Sequence, residues 1–130
     1  MKKSNDPLKK ILVVEDDRAL SEAISMKLRN NGFEVLRSSR VSDAFLTLMK
    51  NKDVKFIWLD HYLLGEESGF DFVVKVKEEG SEVRDIPIFV VSNTASVDKI
   101  KSYIKLGVDK YYIKAEHSLE DLIEEMKNFV

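Results

Sequence analysis

The sequence predicts an α/β domain built on a doubly wound, five-stranded parallel sheet with strand order 2-1-3-4-5 and helices on both faces. Three observations lead there. The runs Ile11-Leu12-Val13-Val14, Phe56-Ile57-Trp58-Leu59 and Pro87-Ile88-Phe89-Val90-Val91 have the unbroken hydrophobicity of strands buried on both faces. Stretches with helical spacing separate the strand candidates, so strand and helix alternate along the chain. Two less apolar runs, Phe33–Ser38 and Tyr111-Tyr112-Ile113, suit the sheet edges, which is where this strand order places them.

The elements follow in order. Residues 1–8 are a polar lead-in, and residues 9–130 make the domain. After the first strand, Leu20, Ala23, Ile24 and Leu28 recur at helical spacing, and Asn30-Asn31-Gly32 supplies a stop. Phe33–Ser38 alternates loosely and carries Glu34 and Arg37, as a half-exposed strand does. Ser42 opens a second helix with Ala44, Phe45, Leu48 and Met49 on its apolar side. The third strand stops at Asp60, and glycines and glutamates between His61 and Gly69 mark a loop. Phe70, Val73, Val74 and Lys77 continue as a helix ending near Gly80. Pro87 is tolerated as the first residue of the fourth strand, which ends in Ser92-Asn93-Thr94. Ser96 begins a helix carrying Val97, Ile100, Ile104 and Leu106, closed by Gly107. The fifth strand ends in Lys114, and a capping-box pattern of Ser118 with Asp121 precedes the stripe Leu119, Leu122, Ile123, Met126 and Phe129.

A chain of 130 residues is one domain, with no internal repeat and no linker to a second. It has no cysteine, which excludes a disulfide framework, thiolate catalysis and cysteine-ligated metal and suits a reducing cytosol. No signal peptide follows the basic start and no run is long enough to span a membrane, so a soluble, cytoplasmic protein without membrane partners is expected. The formal charge is −2. With Lys and Glu mixed throughout, no basic face marks a nucleic-acid site.

Parallel strands would gather Glu15, Asp16, Asp60, Ser92 and Lys114 at one edge of the sheet, where open α/β sheets bind ligands. Each alone has a structural explanation. Asp60 can cap the next loop, Glu15 and Asp16 can stand as helix N-terminal charges, Ser92 can cap a helix, and Lys114 can be a solvated lysine. Their joint placement points further. Carboxylates this close repel one another unless one is protonated or a hard cation joins them, and Mg²⁺ favours such an oxygen set. An amine and a hydroxyl beside the ion are what a phosphoryl group needs at its remaining oxygens.

The segments Ile11-Leu12-Val13-Val14-Glu15-Asp16-Asp17, Asp60, Ser92 and Tyr111-Tyr112-Ile113-Lys114 resemble the receiver domain of two-component response regulators over nearly the whole chain. The resemblance implies a flavodoxin-like (CheY-like) fold with Asp60 as phosphoacceptor. It further implies Mg²⁺ held by Glu15, Asp16, Asp60 and the main-chain carbonyl of Tyr62. Ser92 matches the hydroxyl that closes on the phosphoryl group, Lys114 the lysine that pairs with it, and Tyr111 the aromatic switch. Asp17 is read as the start of the first helix. The implied donor is the phosphohistidine of a sensor histidine kinase or phosphotransfer protein. The signal is expected to leave by protein contact through the face of the fourth helix, fifth strand and fifth helix, since no output domain follows. No enzymatic activity is expected beyond self-phosphorylation and slow dephosphorylation.

The chain departs from the family pattern at several points. Leu64 and Ser68 stand where a proline and a glycine are usual, with Gly69 one residue late, which reads as a one-residue loop insertion. Asn93 replaces the usual small residue after the hydroxyl, and Ala115 replaces the proline after the lysine, so a trans bond and a shifted loop are expected there. These changes encourage an alternative reading as a pseudo-receiver that binds partners without being phosphorylated. A haloacid-dehalogenase-type phosphatase is disfavoured, because its general acid two residues beyond the nucleophile would be Tyr62. Tyr103 and Tyr112 are read as packing residues, and His61 and His117 as loop residues without a role.

Overall fold

Five strands lie parallel in the order β2-β1-β3-β4-β5 in the computed structural model, which describes residues 8–93 and 96–129. They are β1 (Lys9–Val14), β2 (Phe33–Ser38), β3 (Phe56–Leu59), β4 (Ile88–Ser92) and β5 (Lys110–Ile113). The helices between and after them are α1 (Arg18–Asn30), α2 (Val41–Lys50), α3 (Gly69–Lys77), α4 (Val97–Leu106) and α5 (Leu119–Phe129). The predicted order and edges are those observed. No helix of the described residues is long and apolar enough to cross a membrane.

Successive side chains of a strand point to opposite faces, so an unbroken apolar run feeds two cores at once. On one face Leu12, Val14, Ile57, Leu59, Ile88 and Val90 pack with Ala44, Leu48, Phe72, Val76 and Tyr103 from α2, α3 and α4. On the other, Ile11, Val13, Phe56, Trp58, Phe89 and Val91 meet Ile24, Leu28, Leu122, Ile123 and Met126 from α1 and α5. Burying one such side chain is worth about 1.5–3 kcal/mol, so the three central strands carry much of the stability.

Helix faces depart from the expected stripes. Ala23 is exposed, and Ser21 and Ser25 share the buried side of α1 with Ile24 and Leu28. In α3 the sheet-facing set is Gly69, Phe72, Val73 and Val76, which leaves Val74 outside. In α4 the stripe of Val97 and Ile104 faces solvent and Tyr103 is the buried residue. A two-face count of apolar residues cannot tell a core stripe from a solvent stripe when a polar aromatic sits on the opposite side.

Helix starts also differ. α2 begins at Val41, one residue before the expected Ser42. Asp17 caps α1, its Oδ1 accepting the Leu20 N–H at 3.0 Å. The Ser118 Oγ accepts the Asp121 N–H at 3.1 Å as expected. A further cap lies where a loop was read: Asp71 Oδ2 accepts the Ser68 N–H at 2.8 Å and starts α3 at Gly69.

The loop from β3 to α3 is pinned at both ends. Its Leu64 N–H donates to the Ser39 carbonyl at 3.0 Å, across the end of β1, and Gly69 N–H donates to the His61 carbonyl at 2.8 Å. Only glycine fits at 69, because a Cβ there would stand 2.5 Å from the Asp60 carbonyl oxygen. After β5, Lys114–Glu116 forms a 3-10 turn, and the described residues contain no cis peptide bond, in line with Ala115.

Candidate functional site

The carboxyl ends of β1, β3, β4 and β5 bring Glu15, Asp60, Ser92 and Lys114 together, as the parallel order demands. Main-chain bonds set the depth of the acids. Glu15 N–H donates to the Ser38 carbonyl at 3.0 Å, and Asp60 N–H to the Val14 carbonyl at 2.9 Å, so both residues continue the ladder beyond their strands. Both are buried, Glu15 at 3% and Asp60 at 5% exposure. One oxygen from each of Glu15, Asp16 and Asp60 lies within 4.8 Å of the others.

Lys114 closes the cluster from the β5 side. Its Nζ lies 2.8 Å from Glu15 Oε1 and 3.5 Å from Asp60 Oδ2. One lysine does not balance three acids. Burial pushes the Glu15 and Asp60 carboxyls above their ordinary values despite the opposing pull of Lys114. Asp16 is pushed up as well, by desolvation and by its proximity to Glu15. A set of oxygen donors held this close, with excess negative charge, fits a hard divalent cation. The fit rests on the donors themselves and on carboxylate charge that Lys114 offsets only in part.

Ser92 is fully buried at the end of β4. Burial raises the Tyr111 phenol, and hydrogen bonding with the Ser92 side chain acts against it. Tyr111 packs its ring 5.7 Å from that of Tyr103. Tyr62 is exposed, with Lys99 Nζ 5.4 Å above its ring. Beside the acids runs a cleft of about 320 Å³ lined by Glu15, Asp16, Arg18, Arg37, Ser39 and Leu64. Asn93 is exposed at the end of β4.

One residue set aside in the sequence belongs here. His61 is buried at 7% exposure, its N–H donates to Asp60 Oδ1 at 2.8 Å, and its Nδ1 shares a 2.5 Å hydrogen bond with the Tyr103 hydroxyl. Burial, with the charge of Lys99, lowers its pKa. Tyr103 is packed as expected, yet its hydroxyl is also bonded. His117 is exposed. Its ring meets Tyr112 edge-on at 5.4 Å. The adjacency of His61 to Asp60 was the one available signal, and its burial depended on how the loop folds.

Residues 11–127 match the model of the response regulator receiver domain. The chain is 30% identical over 106 residues to chemotaxis protein CheY1 of Helicobacter pylori, covering 81% of this chain and 84% of that protein. It is 28% identical to the two-component response regulator ORR3 of Oryza sativa subsp. indica, covering 84% and 82% respectively. Among solved structures, a response regulator receiver protein from Pseudomonas putida superposes with a TM-score of 0.84 at 25% identity, covering 95% of this chain and 98% of that one. Receiver domains are signalling proteins and not conventional enzymes. Sequence, sheet order and the acidic edge of the sheet agree: the chain belongs to the response regulator receiver domain family of two-component phosphorelays.

Proposed function

We propose that Asp60 is the phosphoacceptor of this receiver, with Glu15, Asp16, Asp60 and the Tyr62 carbonyl as the residues that would hold Mg²⁺. The observation that carries this is the convergence of three carboxylates and Lys114 at the carboxyl edge of the sheet. Bound Mg²⁺ would neutralise the acids and the charge that develops on the phosphoryl oxygens. The Asp60 carboxylate attacks phosphorus. An O–P bond forms as the donor's bond to phosphorus breaks, and the departing imidazole or carboxylate takes that electron pair. Lys114 stands 3.5 Å from the Asp60 carboxylate and would pair with an equatorial oxygen. Ser92, at the end of the neighbouring strand, would donate its hydroxyl to another.

Such donation would draw the Ser92 hydroxyl away from Tyr111 and leave Tyr111 to move against Tyr103 and α4. The signal would leave through the face of α4, β5 and α5, to a protein partner, after a histidine kinase or phosphotransfer protein has supplied the phosphoryl group in the cytoplasm. Intact mass after incubation with acetyl phosphate and Mg²⁺ tests the proposal. A gain of one phosphoryl group is expected, absent with EDTA and absent in Asp60→Asn. No gain by folded wild-type protein would replace this reading with that of a pseudo-receiver.

A further inference from the structure

The loop after Asp60 meets α4 at two adjacent points. Tyr62 meets Lys99 in the open, and His61 meets Tyr103, one helical turn further on, in the interior. The exposed contact is screened and worth little. The buried one is different, because Tyr103 is fully enclosed and His61 nearly so. The Tyr103 ring is held by Phe70 at 5.5 Å and Tyr111 at 5.7 Å, and its hydroxyl lies 3.0 Å from the place a Cβ on Gly69 would take. The hydroxyl therefore has a fixed position, and the His61 ring is fixed by it.

We propose that Tyr103 is a positioning residue for Asp60, acting through His61. Its hydroxyl holds the His61 ring, and the held ring fixes the peptide that follows Asp60. That peptide's N–H, at 2.8 Å from Oδ1, sets the rotation of the carboxylate and leaves Oδ2 toward Lys114. The arrangement also joins α4 to the acid by hydrogen bonds that include neither Ser92 nor Tyr111, although Tyr111 packs against the Tyr103 ring. The inference rests on Asp60 being the phosphoacceptor, but its geometric half does not.

The test uses the whole chain with Tyr103→Phe, which removes one oxygen and leaves the ring, beside His61→Leu and His61→Asn. Two readouts are taken: the amide proton shift of residue 61 in metal-free protein, and the rate of phosphoryl gain from acetyl phosphate with Mg²⁺. Tyr103→Phe should move the amide proton upfield and slow the gain about tenfold, as a small misplacement of a reacting group does. His61→Leu should match it, the double variant should be no slower, and His61→Asn, which keeps a polar atom near the Nδ1 position, should recover most of the rate. An unmoved amide and a wild-type rate in Tyr103→Phe would overturn the proposal and reduce the bond to packing. A wild type that gains no phosphoryl group while the amide still moves in Tyr103→Phe would uphold the positioning and remove the phosphoacceptor reading instead.

Discussion

Asp60 is held in a position that costs the metal-free protein stability. Its carboxyl is pushed up by burial, and Lys114 offsets this only partly. A folded-state pKa above the unfolded one means that the native state binds the proton more readily, so the penalty is present at neutral pH and lifts as pH falls through the raised value. Asp60→Asn should therefore raise the melting temperature of metal-free protein at neutral pH, and the gap should narrow on acidification through the raised value. Calorimetry of the two proteins across that range checks the sign. A gap that widens on acidification would mean that Asp60 is stabilised as a carboxylate. Gly69 makes a second case at this scale. Gly69→Ala places a methyl group 2.5 Å from the Asp60 carbonyl oxygen, and relief of that clash should cost about 1–3 kcal/mol in denaturant unfolding and slow phosphoryl gain. The placement of Asp60, Glu15 and Lys114 at one edge of the sheet was legible because each closes a strand. That of His61 beside them was not, since its burial follows from the Gly69–His61 and Leu64–Ser39 main-chain bonds, which no local pattern announces.

At the scale of elements, strands were easier to read than helix faces. A strand buried on both sides needs every residue apolar, so β1, β3 and β4 stand out in the sequence. A helix buries one side, and in α4 the apolar residues Val97 and Ile104 face out while Tyr103 faces in. Both tyrosine burial and aliphatic exposure run against a simple hydrophobic count, and only packing against α3 and β5 decides between them. The buried side of α1 holds a similar surprise in Ser25, whose Oγ is enclosed with no hydrogen-bond partner among the described residues. Ser25→Ala removes an unsatisfied hydroxyl and adds helix propensity, so it should stabilise the chain by about 1 kcal/mol. Denaturant midpoints of wild type and variant decide this; a loss of stability would show that the hydroxyl is bonded in solution.

For the whole molecule, binding and output should separate. On the proposed reading Mg²⁺ would join acids that otherwise repel, so saturating Mg²⁺ should raise the melting temperature of wild type by several degrees and that of Asp60→Asn by less. Tyr111→Ala leaves Glu15, Asp16, Asp60 and Lys114 in place and should keep phosphoryl gain within about twofold, while weakening capture by a phosphorylation-dependent partner. Loss of both would make Tyr111 a structural residue. The bond from Lys114 to Glu15 has one more consequence: it spans 99 residues and ties the last strand to the first. No fragment that lacks either end can assemble the acid cluster with its lysine. On a ribosome the acid cluster gains its lysine only after β5 has emerged and docked, so on the proposed reading nascent chains would take no phosphoryl group until nearly all of the domain is made. Loosening of the β5 edge would likewise dismantle the cluster before the central strands melt, so phosphoryl gain, if Asp60 takes it as proposed, would gauge an intact fold more sensitively than helix content.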